Sequence, residues 1–130
     1  MKGKAPLLIH WHLMFRVANR RAFNRCLTRT MPLLGQGAKL KGDGKQYWKT
    51  PALWECVVVA PRVSGTPAEQ AYHGLLLAMG LGVGWHVSGP ITEDSVEEFE
   101  GVFDVRGNHS FVTGLEWAHF QFLADPPASS

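Results

Sequence analysis

Between Leu7 and Val17 the chain alternates. Ile9, Trp11, Leu13, Phe15 and Val17 are apolar, and His10, His12, Met14 and Arg16 stand between them (Met14 on the polar side). Successive side chains of a strand point to opposite faces, so this run predicts a β-strand with one buried face. Such a strand needs partner strands and a cover over its rings, which commits the chain to a sheet-containing domain.

The rest of the chain supplies both. Leu53–Ala60 is apolar on both faces except at Glu55 and reads as a central strand. Asn19 can cap a helix over Arg20–Met31, with Phe23, Cys26, Leu27 and Thr30/Met31 inward and Arg21, Arg25 and Arg29 four apart on the outer face. Pro32 ends it. Thr66-Pro67-Ala68-Glu69 spells a capping box with proline at the first helical position. The helix it opens runs to Met79, with Ala68, Ala71, Tyr72, Leu75, Leu76 and Met79 expected inward. Gly80 or Gly82 ends it.

Gly35–Lys45 holds four glycines and three lysines and reads as a mobile basic loop, followed by a short edge strand at Gln46–Thr50. Val83–Ile91, Glu98–Arg106 and Phe111–Leu123 read as strands, the last two joined by a turn at Gly107-Asn108. The expectation is an α+β fold: an antiparallel or mixed sheet of five or six strands with two helices on one face. If Gln46–Thr50 is a strand, the first six elements have the ferredoxin-like order βαββαβ, extended by a C-terminal hairpin. Residues 1–124 form one domain in this reading, and 125–130 a disordered tail.

At 45% apolar and 18% charged residues, the 130-residue chain is neither a disordered tail nor a coiled coil. No apolar stretch approaches the roughly 20 residues of a membrane helix. Lys2 and Lys4 precede apolar residues, but His10, His12 and Arg16 interrupt them, which argues against a signal peptide. Cys26 and Cys56 form no CxxC pair, so buried thiols in a cytoplasmic protein are expected.

The net charge of +2 conceals a division. Residues 1–65 hold 12 of the 13 Lys and Arg and only Asp43 and Glu55, while residues 66–130 hold Arg106 and nine acids. Such asymmetry points to charged partners, or to two halves that neutralise each other within one chain or across a homodimer.

Four constellations bear on chemistry. His10, His12, His86 and His119 fall on predicted strands, where imidazoles with Glu55 or Glu116 can serve acid–base chemistry or hold a small ligand. Their spacing matches no metal signature, so no metal and no cofactor is expected. Gly80-x-Gly82-x-Gly84 follows a helix, which excludes a dinucleotide fingerprint. The Arg21, Arg25, Arg29 stripe is an alternative basic face for an acidic partner or nucleic acid, but no nucleic-acid-binding motif accompanies it. Glu93, Asp94, Glu97, Glu98, Glu100 and Asp104 lie within 12 residues, with Phe99 and Phe103 interleaved, and read as an acidic face on an edge-like strand.

This layout, a small α+β chain with a dense acidic patch and no catalytic motif, resembles bacterial polymorphic-toxin and contact-dependent-inhibition immunity proteins. The resemblance implies a non-catalytic cytoplasmic protein that binds and occludes a cognate toxin domain, with the six acidic residues as candidate contacts. Many such inhibitors are acidic overall, whereas this chain is mildly basic.

Overall fold

A computed structural model describes residues 7–124, so the expected tail at 125–130 lies outside the described residues. The alternating segment is β1 (Leu7–Arg16), the third of six strands. It pairs antiparallel with β3 (Thr50–Pro61) on one side and with β8 (Leu115–Ala124) on the other. Asn19 Oδ1 accepts the Ala22 amide at 2.9 Å and starts α1 (Arg20–Thr30), which passes through a single 3-10 turn at Met31–Leu34. The capping box starts α2 (Pro67–Met79) as its sequence requires: Thr66 Oγ1 accepts from Glu69 N, and Glu69 Oε1 from Thr66 N.

Two expectations fail for one reason, the size of the residues that face inward. Lys39–Lys45, read as part of a loop, joins Gln46 and Tyr47 of the expected edge strand in β2 (Lys39–Tyr47), paired antiparallel with β3 across a register shift between Lys41 and Lys45. Its lysines point away from the core, and its one buried residue is Gly44, where a Cβ would run into the Phe23 ring. An edge strand that offers the core only a glycine has no hydrophobic signature. In α2 the buried residues are Ala71, Gly74 and Ala78, and Tyr72, Leu76 and Met79 are exposed. A Cβ on Gly74 would reach the Phe122 ring, so the helix packs by its small residues and turns several large ones outward.

The expected strand at Val83–Ile91 is broken into β4 (Gly82–Val83) and β5 (His86–Ser88), with Gly84 between them at φ 105°, a conformation that suits glycine. β6 (Glu100–Asp104) follows a long loop, and the turn at Gly107-Asn108 leads to the two-residue β7 (His109–Ser110) before β8. β4 and β7 make a separate two-stranded ribbon.

The main sheet has the order β2-β3-β1-β8-β6-β5 and is antiparallel throughout, not mixed. β3 lies between the parallel pair β1 and β2, and β1 between the parallel pair β3 and β8, giving two split β-α-β units. The extra strands are inserted ahead of the last strand, where a C-terminal hairpin was expected.

Both helices cover one face. α1 sets Phe23 against Phe15 and Trp54, and α2 sets Gly74 over Phe122. Beneath them the buried residues fall in cross-strand rows: Ala60, Ile9 and Phe122; then Val58, Trp11 and Phe120; then Cys56, Leu13 and Ala118; then Trp54, Phe15 and Leu115. Trp85, Phe99 and Phe103 extend the aromatic cluster over β6. Each large side chain so buried contributes about 1.5–3 kcal/mol.

Candidate functional site

The alternate residues of the same strands form the other face, which no element among the described residues covers. β1 places His10, His12 and Met14 there. Across β8 and β6 the register aligns His12 with His119, Val102 and His86 in one row, with His10 and Gln121 in the next. All four candidate histidines therefore share one sheet face. The alternating sequence indicated this for His10 and His12, and the strand pairing adds the other two.

Two of these imidazoles are held by carboxylates. His12 Nε2 lies 2.9 Å from Glu55 Oε1, and His119 Nε2 lies 2.6 Å from Glu100 Oε1. Trp117 contacts both rings, edge-on to His12 at 5.2 Å and stacked on His119 at 6.0 Å. A shallow cleft of about 430 Å³ is lined by His10, His12, Lys41, Val57, His119 and Gln121. A carboxylate that engages one imidazole nitrogen fixes the ring and leaves the other nitrogen for a ligand or a proton. The Glu55 pairing follows the expectation; Glu116 instead pairs with Arg16 at 3.4 Å. Glu100 was read only as part of the acidic patch.

No cysteine serves this face. Cys56 points into the core, and burial, with a smaller contribution from the nearby Glu55 charge, pushes its thiol up to about 12. Cys26 is also buried, its thiol donating to Thr113 O at 3.5 Å. Among the described residues no three His, Cys, Asp or Glu side chains come close enough to hold a metal ion.

The six acidic candidates do not form one surface. Residues 89–99 are a loop whose ends meet where Ser88 pairs with Glu100. Val96 and Phe99 anchor it in the core, and Thr92 Oγ1 accepts the amides of Asp94 and Ser95. From this frame Glu93, Asp94 and Glu98 are exposed. Glu97 is tied down by Arg62, whose side chain is only 4% exposed and also donates to Leu8 O and Gln70 Oε1 and lies over the Phe122 ring. Burial lowers the Arg62 pKa, opposed by the hydrogen bond to Glu97. Sequence reasoning passed over Arg62, which sits in a loop without a motif.

Glu100 and Asp104 are on the histidine face. Asp104 accepts from Arg106 at 2.7 Å, which holds its carboxyl below the usual carboxylate range. β6 is not the edge strand, because the short β5 pairs with Glu100–Val102 on its outer side.

Arg21, Arg25 and Arg29 are exposed on α1 beside a shallow cleft of about 370 Å³ that Asn24 and Thr28 also line. No helix of the described residues is long and apolar enough to cross a membrane. Comparison with known proteins finds no matching family model, no similar curated protein and no similar solved structure.

Proposed function

We propose that the chain is a non-catalytic binding protein of the immunity type, which seats a basic toxin domain on its acidic loop and blocks it. The observation that carries this reading is the construction of residues 89–99. Compact loops whose ends meet and whose own side chains hold them are frequent recognition elements on rigid scaffolds. Here buried Val96 and Phe99 and the Arg62–Glu97 pair fix the backbone, while Glu93, Asp94 and Glu98 face solvent. Acidic side chains carried on a fixed backbone steer a basic partner into register with little ordering of the loop itself.

The test is capture of a cognate toxin domain and measurement of its affinity for the wild type and for the Glu93→Lys/Asp94→Lys/Glu98→Lys variant. Affinity is expected to fall at least tenfold, with the loss steepest at low salt. Unchanged affinity excludes the acidic loop as the docking element. Arg21→Glu/Arg25→Glu/Arg29→Glu is the control for the basic helix and should bind as the wild type does.

The two His–Glu pairs favour a second reading, a small-ligand or acid–base site on the open sheet face. It predicts that His12→Ala/His119→Ala abolishes ligand binding or turnover and leaves toxin binding intact.

A further inference from the structure

The open sheet face is divided by charge. On β2, Lys39, Lys41 and Lys45 stand on this face, cross-strand from Val59, Val57 and Glu55, and none of the three makes an ion pair among the described residues. On the far side β6 carries Glu100, held by His119, and Asp104, held by the exposed Arg106, so the negative charge of that flank is strongest at Glu100. Between them lie His10, His12 and His119, with half-buried Met14, Val57, Val59 and Trp117. Register ties the two sides together. Lys39 and Glu100 belong to one cross-strand row, through Val59, His10 and Gln121. Lys45 and Asp104 belong to another, through Glu55, Met14 and Trp117.

We propose that this face packs against the same face of a second copy of the chain, about a two-fold axis parallel to the strands and running between β1 and β8. Rotation about that axis keeps every row at its own height and exchanges the two sides. β2 of one copy then lies over β5 and the flank of β6 of the other, β3 over β6, and β1 over β8. Lys39 meets the row of Glu100 and Lys45 the row of Asp104, twice in each dimer. A two-fold axis across the strands would stack lysine on lysine, so the charge pattern selects the first arrangement. The contact is isologous, with one patch serving both subunits.

Size agrees with this. Four strands of about 30 Å at about 4.8 Å spacing, with two shorter ones, offer roughly 700 Å². A standard stable interface takes about 800 Å² from each partner. The faces bury half-exposed aliphatic and aromatic groups at their centre and set charge at the flanks, as protein interfaces do. This inference goes beyond the toxin-binding reading and uses a different surface. The acidic loops stay at the outer edges of the dimer, one on each side.

The experiment is sedimentation equilibrium of the full chain and two charge-reversed variants, Lys39→Glu/Lys45→Glu and Glu100→Lys/Asp104→Lys. The wild type is expected at twice the chain mass of 14.4 kDa, with association weakening as salt rises. Each variant alone is expected at the single-chain mass, and their equimolar mixture at twice that mass, because all four flanks are then complementary. Leu76→Glu, on the exposed apolar side of α2, should dimerise like the wild type. A wild type that stays at the single-chain mass up to its solubility limit overturns the proposal, and that result needs no variant to fold. So does a dimer insensitive to salt and to both reversals, or one that Leu76→Glu dissolves.

Discussion

The two faces of the sheet are made from the same strands and differ in every alternate residue. Under the helices, Phe120 contacts Trp11 and Phe122 ring to ring, Phe15 meets Phe23, and Gly101 and Gly74 lie against Phe120 and Phe122. On the other side, histidine, glutamate, lysine and tryptophan share the same backbone spacing with no helix of the described residues above them. One face has exchanged chemical versatility for close packing; the other has kept ionisable groups at fixed positions a few ångströms apart. A period of two suffices to separate the two roles, and for this reason a one-residue slip of β1 would destroy both at once.

The largest expected effect concerns reactivity across this divide. Cys56 shares β3 with Glu55 and Val57 but points to the core, and its pKa of about 12 lies three units above the ordinary 9.0. Its thiolate fraction at pH 8 is therefore about a thousandfold lower than that of an unperturbed thiol, and native-state alkylation should be slower by at least that factor. Mass spectrometry after timed iodoacetamide treatment reads this directly, and rapid labelling of Cys56 in folded protein would place it on the open face.

Stability should divide the faces next. Phe120→Ala removes a fully buried ring that contacts Trp11, Trp85 and Phe99, and should cost about 3–5 kcal/mol in denaturant unfolding. Gly44→Ala should cost about 1–3 kcal/mol, since the added methyl must displace Phe23. His12→Ala on the open face removes one partly exposed pair and should change stability by less than about 1 kcal/mol. A cost as large as that of Phe120→Ala would show that the histidine face is structural.

The smallest effect is expected at Asp104. Its carboxyl is held low by Arg106, so the pair contributes above the ordinary carboxylate range and that contribution disappears as pH falls through the lowered pKa. Asp104→Asn should lower stability slightly at neutral pH and match the wild type in strong acid. The pair lies at the surface, so added salt should shrink the difference further.

What the sequence disclosed follows the same division. β1, α1 and the capped start of α2 were legible because each carries a local signature: period two, an Asn cap, a capping box. β2 was not, because an edge strand whose inward contribution is Gly44 looks like a loop. On the inner side of α2, Ala71 was read correctly, but periodicity ranks Tyr72, Leu76 and Met79 above Gly74 and Ala78, whereas the contact depends on the ring of Phe122, 48 residues away from Gly74 in the sequence. For the candidate sites, alternation put His10 and His12 together, but the Glu100–His119 contact and the Arg62 anchor of the acidic loop arise from pairings that no local spacing announces.

The position of β8 has a consequence for how this protein is made. β1 is synthesised well before β8, so one of its two hydrogen-bonding edges waits for Leu115–Ala124. At 5–20 residues per second, the roughly 100 residues between them take about 5–20 s to emerge from a ribosome. For that interval the nascent chain holds a strand rich in large rings with one edge unpaired, which is the kind of surface that chaperones bind and that recruits like strands from neighbouring chains. A chain that lacks Leu115–Ala124 would leave the centre of the sheet open, with β1 and β6 each missing a neighbour.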